Sequence, residues 1–189
     1  ALPVLVGEGW AKKSIDLLEY CRALFKGIRL TLWDRSFYVA ELIDFLEAKK
    51  IKYVIHVPAK EGTIQDYVEQ TETLGKFDHQ MEYAKKKSKW RPHTTIVVCK
   101  GIHDFAWIFA TNINFRTRVE YIWYYKKRWQ IETNFREQNK FQFKTQTTDF
   151  VIRYFAFVIG GLIFNSWQLE RIGSVKKIQS YLYKDRLMK

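Results

Sequence analysis

Ile28-Arg-Leu-Thr-Leu-Trp33-Asp34, an amphipathic run to Lys49, and the segment Ile51-Lys-Tyr-Val-Ile-His-Val57 together decide the fold of this chain. The first segment alternates apolar and polar side chains, as a half-buried strand does. Across 37–49, Ala40, Leu42, Ile43 and Leu46 recur at helical spacing. Residues 51–57 are rich in β-branched side chains and stop at Pro58. Strand, helix and strand in that order read as a parallel β-α-β layer, so the fold class is α/β. Asp34 then stands at the carboxyl end of a strand.

Working outward, a short strand is expected at 1–6. A helix capped by Ser14 follows, running to 25 with Leu17, Leu18, Cys21 and Leu24 as its apolar face and Gly27 as its stop. Regularity fades between 60 and 91, a polar stretch containing Lys85-Lys86-Lys87-Ser88-Lys89. It reads as a surface insertion with irregular strands, its lysines a solvated loop or a DNA-backbone contact. Strands are expected at 93–100 and 104–111 around a turn at Gly101, then one long helix over 115–140. An apolar helix over 148–171 and a short basic helix over 175–187 complete the order. Three regions result: 1–59, a partial α/β core with Asp34; 60–112, a β-rich insertion and strands; 113–189, a helical part with Glu132.

The 189 residues are 47% hydrophobic and 17% aromatic, a composition that packs a core and excludes a disordered chain. The net charge of +12 calls for a polyanionic partner, with nucleic acid ahead of an anionic membrane surface or mere solubility. Cys21 and Cys99 make neither a CxxC pair nor a disulfide framework, and a reducing cytoplasmic setting is expected. No signal peptide is visible. Arg153 and Asn165 interrupt the most apolar stretch, so a buried helix is expected there and no membrane partner.

A second cluster is Tyr125-Lys-Lys-Arg128-Trp129-Gln-Ile131-Glu132, running on through Arg136 to Lys140. At ~3.6 residues per turn, Tyr125, Arg128, Glu132, Arg136 and Asn139 share one helical stripe, with Lys140 beside it. One carboxylate among cations is either an intrahelical salt-bridge partner or a metal ligand flanked by phosphate clamps. Asp34 is likewise either a helix N-cap or half of a metal site. Cleavage and strand transfer at a phosphodiester need carboxylates on rigid elements around Mg²⁺, and a strand end plus a helix suit that.

Trp33-Asp34-Arg35-Ser36-Phe37-Tyr38 resembles the strand–Asp segment of insertion-sequence transposases of the DDE class. Thr111-Asn112 closing a strand, then Tyr125-x2-Arg128-Trp129-x-Ile131-Glu132, is similar to the region of their final glutamate, the Y-R-E-K signature. The likeness covers about 28–167, including Phe164-Asn165-Ser166-Trp167. It implies a partial RNase H-like core with a β-rich insertion and C-terminal helices. It also implies Asp34 as the second catalytic aspartate and Glu132 as the closing glutamate, both holding Mg²⁺ (or Mn²⁺), and Tyr125 and Arg128 on the backbone of the transposon end. DNA is the implied partner, and the acting form a homodimer.

Two departures stand beside the likeness. Asn139 occupies the position of the signature lysine, with Lys140 next to it and Arg136 one turn after Glu132, either able to supply the cation. Upstream of Asp34 only Glu8, Asp16 and Glu19 are acidic, none on the strand expected for the first aspartate. The alternative function is therefore a truncated or domesticated remnant that binds DNA without catalysis. His56, His79, His93 and His103 lack ligand spacing and read as structural or surface residues. Tyr121, Trp123, Tyr124, Tyr125 and Trp129 read mainly as packing, with room for a stacking platform. Gly160-Gly161 reads as close helix packing.

Overall fold

The computed structural model describes residues 9–25, 27–59, 62–81 and 90–173. The strand expected at 1–6, Glu8, the lysines of 85–89 and the helix expected at 175–187 lie outside them. The chain forms two compact units, Leu2–Arg128 and Trp129–Lys189.

The first unit runs α1 (Trp10–Leu24), β1 (Thr31–Trp33), a 3-10 turn (Arg35–Phe37), α2 (Ala40–Ala48), β2 (Tyr53–His56), α3 (Thr63–Gln70), β3 (Leu74–Gln80), β4 (His93–Cys99), β5 (Trp107–Thr111) and α4 (Arg118–Lys126). Its five strands form one mixed sheet in the order β1-β2-β5-β4-β3. β1 and β2 are parallel, with Leu32 opposite Val54 and Trp33 opposite Ile55. The other neighbours are antiparallel. The β-α-β layer therefore forms as read, and Ala40, Leu42, Ile43 and Leu46 of the crossover helix are fully buried.

Period-two alternation explains the two cores. Ile96, Val98, Ile108 and Ala110 join α2 in one apolar cluster. Val97, Cys99, Trp107 and Phe109 join Tyr121, Ile122 and Tyr125 of α4 in the other. The sheet is covered on both faces, so every residue of β5 is buried. A capping box starts α4: the Thr117 side chain accepts the Glu120 N–H, and the Glu120 carboxylate accepts the Thr117 N–H.

Three expectations for this unit need correction. α1 starts at Trp10, and Ser14 is an interior residue whose hydroxyl donates to the Trp10 carbonyl at 2.8 Å. Ser14 and Leu18 face inward while Leu17 and Leu24 are exposed, so the buried face is turned from the one expected. The faded stretch holds regular structure, because α3 and β3 cover the core from outside with few buried positions. Tyr67 of α3 stacks on Phe77 of β3 at 4.3 Å.

The third correction concerns the helix expected over 115–140, which is two helices. The last turn of α4 tightens, Lys127 N–H bonding Tyr124 O at 3.2 Å and Arg128 N–H bonding Tyr125 O at 2.9 Å. α5 (Trp129–Asn139) opens the second unit. No glycine or proline marks the break, so periodicity runs straight through it.

In the second unit α5 is followed by α6 (Phe150–Gly173). Phe141 is buried and its ring meets Phe164 at 6.0 Å and Trp167 at 5.6 Å. A Cβ on Gly160 would lie 3.1 Å from the Phe141 carbonyl, so this glycine does permit a close approach. The buried-helix expectation is corrected too. Along α6 only Gly160 and Trp167 are buried, while Phe150, Val151, Phe155, Leu162, Leu169 and Ile172 are exposed. By length and composition α6 could cross a membrane.

Candidate active site

Asp34 leaves the end of β1 with extended backbone, and its carbonyl accepts the Phe37 N–H at 2.9 Å to close the 3-10 turn. Its carboxylate caps nothing, and the N-cap position of α2 is held by Val39. That carboxylate instead lies near enough to the Tyr125 hydroxyl to raise its pKa, while the Arg128 guanidinium acts on the same hydroxyl in the opposite direction. Asp34, Tyr125 and Arg128, singled out from sequence, thus meet in one electrostatic group.

Packing fixes this group. Tyr125 is 3% exposed. Its ring lies 5.2 Å from Phe109 and 5.9 Å from Trp107, at the end of the sheet where β1 and β2 finish. The Arg128 guanidinium sits 5.5 Å from the same ring. Burial raises the Tyr125 hydroxyl pKa above its ordinary value, and the opposing pull of Arg128 does not cancel it. The hydroxyl therefore keeps its proton at neutral pH and serves as a donor.

His56 was missed. Parallel register sets Trp33 against Ile55, so the next residues along, Asp34 and His56, emerge side by side. The imidazole lies 5.6 Å from the Tyr125 ring. Burial lowers its pKa, Asp34 raises it, and Arg35 and Arg128 lower it further. The net is a neutral ring beside the carboxylate. A signal for it existed: His56 ends the second strand of the β-α-β layer just as Asp34 follows the first.

The other candidates stand on α5 or just after it, in the second unit. Glu132 lies in its first turn and Arg136 in its last, both exposed. Lys140 follows Asn139 and pairs with Glu137 at 2.6 Å. The stripe from Tyr125 to Asn139 is therefore not one continuous helical face. Its first two members belong to the sheet unit and the rest to the helical unit. Among the described residues, no three His, Cys, Asp or Glu side chains gather into a metal-binding group.

Residues 12–161, most of the chain, match the family model of the transposase DDE domain. The chain belongs to the DDE transposase family. No curated protein matches it. As a transposase domain it serves DNA transposition and recombination, with DNA as its substrate, and the mixed α/β sheet agrees with that membership. Asp34, Tyr125, Arg128, Glu132, Arg136 and Lys140 all fall inside the matched transposase residues.

Proposed function

We propose that the chain carries part of the catalytic site of an insertion-sequence transposase that cleaves DNA at transposon ends and transfers the freed strand. The grouping of Asp34, Tyr125 and Arg128 within the family match carries this reading. In it, Asp34 and Glu132 are the metal ligands, the first unit is part of an RNase H-like core, and Tyr125 to Glu132 is the Y-R-E-K signature without its lysine. Arg136 or Lys140 supplies that cation.

The donor chemistry fits magnesium, with manganese as a substitute. Both candidate ligands offer hard carboxylate oxygens, and Asp34 sits on a rigid strand end. Magnesium, when bound, supplies charge that activates the attacking oxygen and steadies the leaving one. The chain's own part is positioning. Tyr125 packs its hydroxyl beside the Asp34 carboxylate, while Arg128 offers its planar fork to a phosphate. Neutral His56 fills the space beside Asp34 without adding charge. The acting form is a homodimer on paired ends in the cytoplasm, at the nucleoid and not at a membrane.

The test is cleavage of a duplex carrying the transposon end, with Mg²⁺ and with a chelator, by wild type, Asp34→Asn and Glu132→Ala in the full protein. Cleavage that needs Mg²⁺ and is lost in both variants is expected. Equal cleavage by Glu132→Ala and wild type sinks the assignment, and binding without cleavage by wild type leaves a DNA-binding remnant.

A further inference from the structure

α4 turns one face to the sheet and another outward. Tyr121, Ile122 and Tyr125 are buried, while Val119 and Trp123 are 59% and 55% exposed. Lys127 closes the helix with helical backbone and follows Trp123 by four residues, so it extends the same outward stripe. Its ammonium lies 3.7 Å from the centre of the Trp123 ring and 4.7 Å from that of Tyr124. Tyr124 is itself stacked on Phe115, with 9° between the planes. The lysine is therefore held on a fixed aromatic seat, and no carboxylate among the described residues forms an ion pair with it.

Cations stand at both ends of this face. Lys126 places its ammonium 3.3 Å from the His103 ring nitrogen at one end, beside Lys127. Arg116 is exposed just ahead of the helix at the other. Glu120, the acid of α4, is engaged in the cap, accepting the Arg116 N–H at 3.1 Å and the Thr117 N–H at 2.9 Å. The 9 residues of α4 rise roughly 13 Å at about 1.5 Å each, close to the ~12 Å width of the major groove of B-DNA. A membrane surface would find only Val119 and Trp123 to draw into its acyl boundary, too little for an interfacial helix. A duplex offers phosphates on both sides of a groove, one for each end of the face. The inward face of the same helix brings Tyr125 to Asp34, so DNA that reaches this carboxylate runs past α4.

We propose that the outward face of α4 binds the backbone of duplex DNA across one groove, Lys126 and Lys127 on one strand and Arg116 on the other. Trp123 serves as the seat that holds the Lys127 ammonium in place, so less side-chain freedom is lost when a phosphate arrives. This rests on the DNA-substrate part of the reading above and not on the roles given to Asp34 and Glu132. It adds a duplex-holding surface to the chain, separate from the residues assigned to cleavage.

The full chain should be titrated with a fluorescein-labelled duplex of arbitrary sequence and with one of its single strands, without Mg²⁺, over a salt series read by anisotropy. Lys127→Ala and Arg116→Ala should each weaken duplex binding roughly three- to tenfold and lower the salt slope by about one phosphate. Lys127→Arg, which keeps the charge, should hold both quantities near wild type. Trp123→Ala should weaken binding with the slope unchanged, since it frees the lysine without removing it. Lys12→Ala, on the exposed side of α1, should change neither. Far-UV circular dichroism checks folding of each variant. Wild-type affinity and slope in both Lys127→Ala and Arg116→Ala overturn the proposal. So does a single strand that binds as tightly as the duplex. Binding to phosphatidylserine vesicles that is lost in Lys127→Ala while duplex binding persists overturns it in favour of a membrane surface. Glu132→Ala should bind the duplex as wild type whether or not it cleaves, so the surface and the catalytic assignment fail separately. No duplex binding by wild type sinks the DNA reading itself.

Discussion

The hydroxyl of Tyr125, buried at the end of α4, lies within electrostatic reach of the carboxylate of Asp34 at the end of β1. Two residues far apart in sequence are joined because α4 covers the face of the sheet on which Phe109 and Trp107 lie. Tyr125→Phe keeps the packed ring and deletes only the hydroxyl that acts on Asp34. Stability should fall by about 1 kcal/mol, and strand cleavage roughly tenfold, the rate equivalent of about 1.4 kcal/mol of lost orientation. Thermal denaturation and single-turnover cleavage measure the two effects, and unchanged cleavage would remove Tyr125 from the positioning of Asp34.

The two adjacent glycines of α6 should respond in opposite ways. A methyl at Gly160 meets the Phe141 carbonyl at 3.1 Å and the Gln142 Cα at 3.2 Å, backbone atoms that cannot swing aside. At Gly161 it meets only the end of the Gln138 side chain at 3.4 Å. Gly160→Ala should lower the melting temperature. Gly161→Ala should hold or raise it, since alanine favours a helix interior over glycine by about 1 kcal/mol.

Alkaline pH should loosen the fold through Tyr38. Burial first, and the neighbouring Tyr67 second, push its pKa up to about 12 from 10.0. The folded state then holds a proton that the unfolded chain releases near pH 10. The stability tied to this group is complete below pH 10 and is lost as pH rises towards 12. Tyr38→Phe should make the decline of denaturation midpoint with pH shallower by about one proton, as read from urea melts at stepped pH.

The two cysteines should differ in reactivity. Cys99 is buried in β4, and that burial pushes its thiol pKa up to about 12. Only the thiolate attacks an alkylating reagent. At pH 8 iodoacetamide should label Cys21 in the native protein and reach Cys99 only after unfolding. Intact-mass spectrometry gives the count, and two labels on native protein would contradict the packing of β4.

The β-α-β layer was legible because its signals are local: alternation in β1, helical spacing through Leu46, β-branched residues in β2. Asp34 was legible for the same reason, standing one residue past a strand. The tightened end of α4 was not, because Lys127 and Arg128 are good helix formers and only the backbone bonds to Tyr124 and Tyr125 reveal the turn. His56 was missed because its importance comes from register across two strands, which one strand's sequence does not carry. The exposure of α6 was hidden as well, since an apolar run has the same sequence whether or not a partner covers it.

β1 and β3 form the two margins of the sheet among the described residues. β1 has 3 residues, and β3 carries Lys76 and Asp78 exposed at alternate positions. Neither margin offers a long apolar template onto which a neighbouring copy could zip its own strands. Edge strands this short or this charged disfavour strand-to-strand pairing between neighbouring copies, the first step of amyloid-like growth.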